Sequence, residues 1–417
     1  MATQIAPGWT PRRGADKLDA MDRPDILELS LAELEAWCAE RRLPRYRAAQ
    51  VTAWLFQRGA CDFQEMTNVA RALRDELAAS FTIGSLELAN VSRSSDGTQK
   101  LLFRLRDGAT IESVLIPDGE RLTLCVSTQV GCAMGCTFCA TATLGFRRNL
   151  TRAEIVEQLL RARPLATRDV LPAGGAAGSS EPPMAREARV GGEDDPAAPP
   201  ARITNLVFMG MGEPLHNYVG TVGAIETLTA GWGVDFSHRR ITVSTVGLIP
   251  EMQRLLAETQ AQLAVSLTSV DEAKRRELMP ITKKHSVAEL LAACRALPLP
   301  RRKRITFEYV LLAGLNDRVE DARALARALA GIRCKVNLIP FNPFPGSEFR
   351  RSDDVTVARF QDVVRRAGLH ATVRESRGPD IAAACGQLVA AEERRAHGGA
   401  RRPARGDAAA RADAMNG

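Results

Sequence analysis

From Leu122 onward the chain alternates short apolar runs with helical patterns, and this alternation limits the possible folds more than any other feature. The runs are Leu122–Ser127, Ile203–Met209, Ile241–Val246, Leu263–Thr268, Ile305–Leu311 and Lys335–Pro340. Between them lie helical periodicities over Arg152–Arg161, Val219–Ala230, Ile249–Glu258, Val287–Ala296 and Arg318–Ala330. Strands of this composition are buried on both faces, as parallel βαβ units require. Six units predict an α/β fold, better an incomplete (β/α)6 barrel than a closed eight-stranded one. A doubly wound open sheet is the alternative, because periodicity does not fix strand order.

Upstream, helical patterns begin at Ile26, Leu27, Leu31 and Leu34 and continue through Val51, Trp54 and Leu55 to Val69, Leu73 and Leu77. They predict a small helical domain over residues 24–90. Extended stretches at Ser85–Val91, Lys100–Leu105 and Thr110–Ile116, divided by Asp-Gly turns, predict a three-stranded meander, with 91–121 as a β extension or linker. The barrel then occupies 122–390. Residues 1–23, the Pro/Gly-rich 162–200 and the Ala/Arg-rich 391–417 lack apolar periodicity. They read as a disordered tail, a disordered insertion in the first crossover and a disordered basic tail.

Hydrophobic residues make up 45% of the 417 and charged residues 25%, the range of soluble globular chains. Lys and Arg exceed Asp and Glu by 56 to 49, an excess compatible with a polyanion partner but too small to establish one. No apolar run approaches the roughly 18 residues of a membrane span, and the first residues lack a hydrophobic signal core. A cytoplasmic, monomeric protein without membrane contact is expected. Nine cysteines, an odd number, argue against a secreted disulfide scaffold and for metal or redox chemistry.

Three of those cysteines, Cys132, Cys136 and Cys139, fall within eight residues directly after the first apolar run. Structural zinc would require a fourth ligand, and the nearest histidine, His216, lies 77 residues beyond Cys139. A three-thiolate iron–sulfur cluster instead leaves one iron open to a ligand. Further candidates sit at the ends of later runs: Gly212 and Glu213 in MGEP, then Ser244, Ser266 and Asn342. Cys125 and Cys385 read as small core residues or reactive thiols, and Gly386 after Cys385 favours an exposed turn. Glu112 reads either as a solvated edge-strand carboxylate or as a functional one.

The segment CAMGCTFC, with Phe138 before its last cysteine, resembles the cluster motif of radical S-adenosylmethionine enzymes. The wider match is more specific. IESVLIP (111–117), LCVSTQVGCAMGCTFC (124–139), GFRRNLT (145–151), FMGMGEPLHN (208–217), ITVSTVG (241–247), FEYVLLAGLND (307–317), NLIPFNPFPG (337–346) and RGPDIAAACGQL (377–388) occur in that order. Together they resemble the bacterial dual-specificity RNA adenine-C2 methyltransferases from about residue 24 to about 390, the 162–200 insertion excepted.

That resemblance implies a partial barrel of the radical S-adenosylmethionine type, with a [4Fe–4S] cluster on Cys132, Cys136 and Cys139. It implies S-adenosylmethionine, two per turnover, on Gly212, Glu213, Ser244, Ser266 and Asn342. The matching roles for Cys385, Cys125 and Glu112 are methyl-carrying cysteine, resolving thiol and proton acceptor, with a Cys125–Cys385 disulfide left after resolution. The implied substrates are 23S rRNA and tRNA, and the implied reductant is a flavodoxin- or ferredoxin-type donor. By analogy the helical domain would recognise RNA shape, and Arg147-Arg148 and the Arg301–Arg304 run would meet phosphates. One departure stands out: where the family usually has Leu-His-Ala after Ser266, this chain has Leu267, Thr268 and Ser269. Thr268 is kept as a cofactor-shell candidate through its backbone. Competing readings are a C8-specific rRNA methyltransferase, a radical maturase or activating enzyme with a non-RNA substrate, and a metal-stabilised RNA-binding protein without activity.

Overall fold

In the computed structural model, which describes residues 23–166 and 202–389, the chain opens with α1 (Leu31–Glu40), α2 (Tyr46–Thr52) and α3 (Arg71–Ser80). The first helix starts where Ser30 accepts from the Glu33 amide while the Glu33 carboxylate reaches back to the Ser30 amide. This reciprocal cap satisfies two amides that a helix start leaves without partners. Leu34, Trp37, Val51, Phe56, Leu73 and Leu77 are buried and form the inner face of this helical unit.

Strands β1 (Glu87–Arg93), β2 (Gln99–Arg104), β3 (Thr110–Asp118) and β4 (Arg121–Cys125) follow as an antiparallel meander. Then β5 (Gln129–Gly131), α4 (Ala140–Thr143) and β6 (Phe146–Asn149) frame the cysteine motif in a small hairpin. The barrel units are α5 (Arg152–Ala162), β7 (Asn205–Phe208), α6 (Tyr218–Thr229), β8 (Ile241–Thr245), α7 (Ile249–Glu258) and β9 (Gln262–Ser266). They continue with α8 (Glu272–Leu278), α9 (Val287–Ala296), β10 (Ile305–Leu311), α10 (Val319–Leu329), β11 (Cys334–Pro340), α11 (Asp354–Arg366) and β12 (Ala371–Val373).

Ten strands form one sheet in the order β1-β2-β3-β4-β7-β8-β9-β10-β11-β12. From β4 to β12 every pairing is parallel, and each new strand is added on the same side. A doubly wound sheet reverses its order part-way, so this succession is that of a barrel. The sheet is open, with β1 and β12 at its edges.

Three features were not anticipated. A seventh parallel strand, β12, pairs Val336 with Ala371 beside β11. The hairpin of β5 and β6 separates the cysteine loop from the first barrel strand. The β extension is not a linker, because β4 pairs antiparallel with β3 and parallel with β7, which makes meander and barrel one sheet. Cys125 stands at that junction, opposite Val114 on one side and Val207 on the other.

The stretch expected to be an insertion begins later than 162. Ala162 is buried at the end of α5, and Arg163 donates to the Phe56 carbonyl at 2.5 Å. Residues 167–200, the N-terminal tail up to residue 22 and the 391–417 tail lie outside the described residues. No helix among the described residues is long and apolar enough to cross a membrane.

Candidate active site

The cysteine loop is tied down at both ends. A Cβ on Gly131, where φ is +73°, would meet the Gly145 carbonyl oxygen at 1.8 Å, so only glycine closes the hairpin. Next to it the Cys132 amide donates to that same carbonyl at 2.7 Å. The Thr137 amide donates to the Leu278 carbonyl at 3.0 Å, docking the loop on the end of α8. Cys132, Cys136 and Cys139 consequently line one cavity with Met134 and Phe138.

Burial governs the acidity of these thiols. It lifts Cys132 to about 12, Cys136 well above its ordinary value and Cys139 upward too. Such sulfurs stay protonated unless a metal binds the thiolate and reverses the cost. Among the described residues no three His, Cys, Asp or Glu converge on a point where a single ion would sit. Three soft thiols along one cavity wall are a donor set that suits an iron–sulfur cube with one open iron.

The same cavity, about 140 Å3, runs along the C-terminal ends of β7, β8 and β9. Gly212 and Glu213 follow β7, and Ser244 and Ser266 lie near the ends of β8 and β9; all four line it. The Glu213 carboxylate is 3% exposed and accepts from the Leu215 amide at 3.1 Å and the Val246 amide at 2.9 Å. Desolvation nevertheless dominates and raises its pKa to about 7. Gly212, at φ +101°, is demanded by Gln129, whose Cβ a Gly212 Cβ would approach to 2.6 Å. In turn Gln129 Oε1 accepts from the Glu213 amide at 2.9 Å.

Thr268 stands apart from the other cofactor candidates. It does not line the cavity. Past the end of β9 the chain turns through Thr268 at φ +55°, with the side chain fully buried and Oγ1 without a partner among the described residues. Its carbonyl accepts from Asn316 Nδ2 at 2.7 Å, so the backbone contact belongs to the fold. A β-branched residue is a poor occupant of left-handed backbone, where histidine is enriched. The usual histidine fits that conformation better than threonine does.

A second cavity, about 30 Å3, lies beside the first and is lined by Val114, Cys125, Arg374 and Cys385. Cys385 and Asn342 line both cavities; Cys125 lines only the smaller. Asn342 Nδ2 donates to the Cys385 carbonyl at 3.1 Å, and its Oδ1 accepts from Ser376, so it fixes the backbone of the cysteine segment. Burial pushes Cys125 up to about 12 and raises Cys385, and both are free thiols.

Glu112 is neither solvated nor on an edge. It is 3% exposed on β3, between β2 and β4, with Lys100 Nζ 3.1 Å from Oε1 and the Val389 amide donating to Oε2 at 2.9 Å. It lines neither cavity and lies behind the 388–389 segment. Two of the expected phosphate contacts can be placed. Arg148 is spent on Glu154, through both terminal nitrogens at 2.8 Å, and on Asp107 at 2.9 Å. Arg301–Arg304 precede β10, at the N-terminal ends of the strands and away from the cavity mouth.

The sequence reading missed Gln129, Glu308, Arg374 and Ser376. A charged Glu308 inside an otherwise apolar run was a signal that went unused. Arg374 and Ser376 lie in a segment with no local pattern, and only the fold brings them to the site.

An open parallel barrel with three cysteines beside a cavity at its strand ends defines a radical S-adenosylmethionine enzyme. A solved radical SAM methyltransferase from Sphaerobacter thermophilus is 41% identical, superposes with a TM-score of 0.77, and the match covers 88% of this chain and 99% of that one. The profile of the ribosomal RNA large subunit methyltransferase N-terminal domain matches residues 24–83. Dual-specificity RNA methyltransferase RlmN of Anaeromyxobacter dehalogenans is 48% identical over 369 residues, 88% of this chain and 92% of its own. That of Xanthobacter autotrophicus is 45% identical over 406 residues, 94% and 93% of the two chains. The chain belongs to the dual-specificity RNA methyltransferase family.

Proposed function

We propose that this enzyme methylates C2 of an adenine in 23S rRNA and in tRNA, by way of S-methylated Cys385 and a protein–RNA adduct that Cys125 resolves. One observation carries the reading: Cys385 borders both the cofactor cavity and the pocket that holds Cys125. A radical enzyme acting on an unrelated small substrate has no need of that arrangement.

C2 of adenine is an electron-poor amidine carbon, too weak a nucleophile to take a methyl cation directly. A methyl carried on sulfur and activated as a radical meets that difficulty. Cys132, Cys136 and Cys139 would hold the cluster, and Glu213, Ser244, Ser266 and Asn342 would hold S-adenosylmethionine, Glu213 through the cofactor's ammonium group. The bound groups supply, from two S-adenosylmethionine molecules per turnover, the methyl group and a radical able to take hydrogen from it. Asn342 holds the Cys385 backbone at the boundary between the cavities. Glu112, paired with Lys100, can accept the C2 proton once the Val389 amide releases its Oε2. The Cys125 thiolate then attacks the Cys385 sulfur. The S–S bond forms as the sulfur–methylene bond breaks, and the methylene carbon keeps that bond's electrons and is protonated to methyl. A flavodoxin- or ferredoxin-type donor would supply the one electron that generates the radical, the odd electron left on the adduct as C2 loses its proton would return to the same redox chain, and the chain acts as a monomer.

Anaerobic turnover on rRNA and tRNA transcripts, followed by nucleoside mass spectrometry, tests the assignment. 2-Methyladenosine in both is expected; 8-methyladenosine, or product in neither, overturns it.

A further inference from the structure

The pocket that holds the two thiols contains a guanidinium. Arg374 follows β12 directly, and its amide donates to the Leu338 carbonyl at 2.8 Å, which fixes the residue beside β11. Its side chain lines the smaller cavity together with Cys125 and Cys385, and Nη1 lies 3.7 Å from Met209 Sδ. On the other side is Glu308, 5% exposed on β10 and bordering the cofactor cavity. Arg374 Nη1 is 3.9 Å from Glu308 Oε1, an ion pair too long for a hydrogen bond, and Oε1 has no other hydrogen-bond partner among the described residues. The guanidinium thus lines the pocket of the two thiols and stands near a buried carboxylate without a hydrogen bond to it.

A cation in that place has a chemical use. A sulfur attacks only as thiolate, and a dry pocket opposes the ionisation. The charged groups that act on Cys125 are Cys385 and Glu308, which oppose its ionisation, and Arg374, which favours it; the Met209 backbone also favours it. Arg374 acts on Cys385 in the same sense.

We propose that Arg374 is the positioning residue of the thiol pocket: its guanidinium holds the negative charge of the Cys125 thiolate after the proton has left to solvent, and Glu308 is the counter-ion that keeps it between the two cavities. The proposal rests on the two-thiol reading of the function. The bland alternative is that Arg374 only neutralises Glu308.

Alkylation of Cys125 separates the two. Iodoacetamide modification of the anaerobically purified full chain is followed by peptide mass spectrometry from about pH 7 to pH 10, with the unfolded chain as reference. At fixed pH the rate follows the thiolate fraction, so Arg374→Gln should slow it roughly tenfold or more, and Arg374→Lys should restore most of it. Glu308→Gln should speed it, because a negative charge leaves the pocket while the amide oxygen can still face the guanidinium and the Arg374 backbone stays fixed on Leu338. A folded Arg374→Gln protein with an unchanged rate profile overturns the proposal. Should that variant fail to fold, an unchanged or slower rate in Glu308→Gln does so. The mass of Cys125→Ala protein keeps the two readings apart. A missing RNA adduct there, with the rate shifts intact, removes the resolving role but not the Arg374 assignment. An adduct with no rate shifts does the reverse.

Discussion

The larger cavity is built from consecutive strand ends, whereas the smaller one is built from segments far apart in the chain. Glu213, Ser244 and Ser266 come from successive barrel units and need only the parallel sheet to bring them together. Cys125, Val114, Arg374 and Cys385 meet because the segment after β12 crosses back to the antiparallel extension. Specific contacts hold that crossing: the Gly378 amide donates to Asp96 at 2.9 Å, Ser94 donates to Asp380 at 2.5 Å, and the Val389 amide donates to Glu112. The barrel therefore supplies a cofactor platform that many reactions could use. The returning segment, packed on the extension, brings Cys385 to the pocket that Cys125 of β4 lines.

Breaking the cofactor side should have the largest effect. Cys136→Ala should lose its iron and all cleavage of S-adenosylmethionine, measured as iron per chain and 5′-deoxyadenosine, because no spare thiolate stands at that spacing. Full iron and turnover would dissolve the contrast between the cavities. Breaking the boundary residue should be more selective. Cys385→Ala should retain iron yet give neither S-methylated protein nor RNA product, since the one thiol that borders both cavities outside the cluster loop is gone.

A graded effect is expected from pH. The Glu213 carboxyl titrates near 7 because burial favours its neutral form. Its own contribution to folding is therefore largest below the unfolded value and is lost as pH rises through about 7. Binding of an ammonium has the opposite sign, since it needs the carboxylate. Affinity for S-adenosylmethionine, read by equilibrium dialysis, should fall about tenfold per unit as pH drops below about 7. Glu213→Gln should flatten that slope, and a slope unchanged in the variant would remove Glu213 from the cofactor site.

The smallest effect concerns Thr268, which the fold places outside both cavities. Asparagine tolerates left-handed backbone, so Thr268→Asn should raise unfolding stability by up to about 1 kcal/mol. Cofactor affinity should stay within about twofold. A large loss of affinity would return position 268 to the cofactor shell.

These two regions were not equally legible. The six apolar runs announced the parallel strands because burial on both faces leaves a continuous apolar signature, and Ile305–Leu311 matches β10 at both ends. The strand β12, only Ala371–Val373, carries too few residues for any period to register. The cluster loop could be read locally, since three thiols in eight residues are a pattern in themselves. Cys125 and Cys385 were picked out only through the family resemblance, because their partnership is a product of the crossing and leaves no spacing to detect. Arg374 and Glu308 could not be paired in the same way: one follows β12, the other lies on β10, and they approach only in the fold. Thr268 was singled out by the family pattern alone, and its left-handed backbone after β9 left no mark in the local sequence.

The claim on which the rest depends is that two thiols from distant parts of the chain act in succession on one carbon. Cys125→Ala protein, expressed in cells, treated with nuclease and weighed intact, tests it most directly. The account predicts a covalent nucleotide adduct joined through a methylene on Cys385, because addition to adenine proceeds while release does not. A clean mass without nucleotide, or wild-type turnover by that variant, would contradict it.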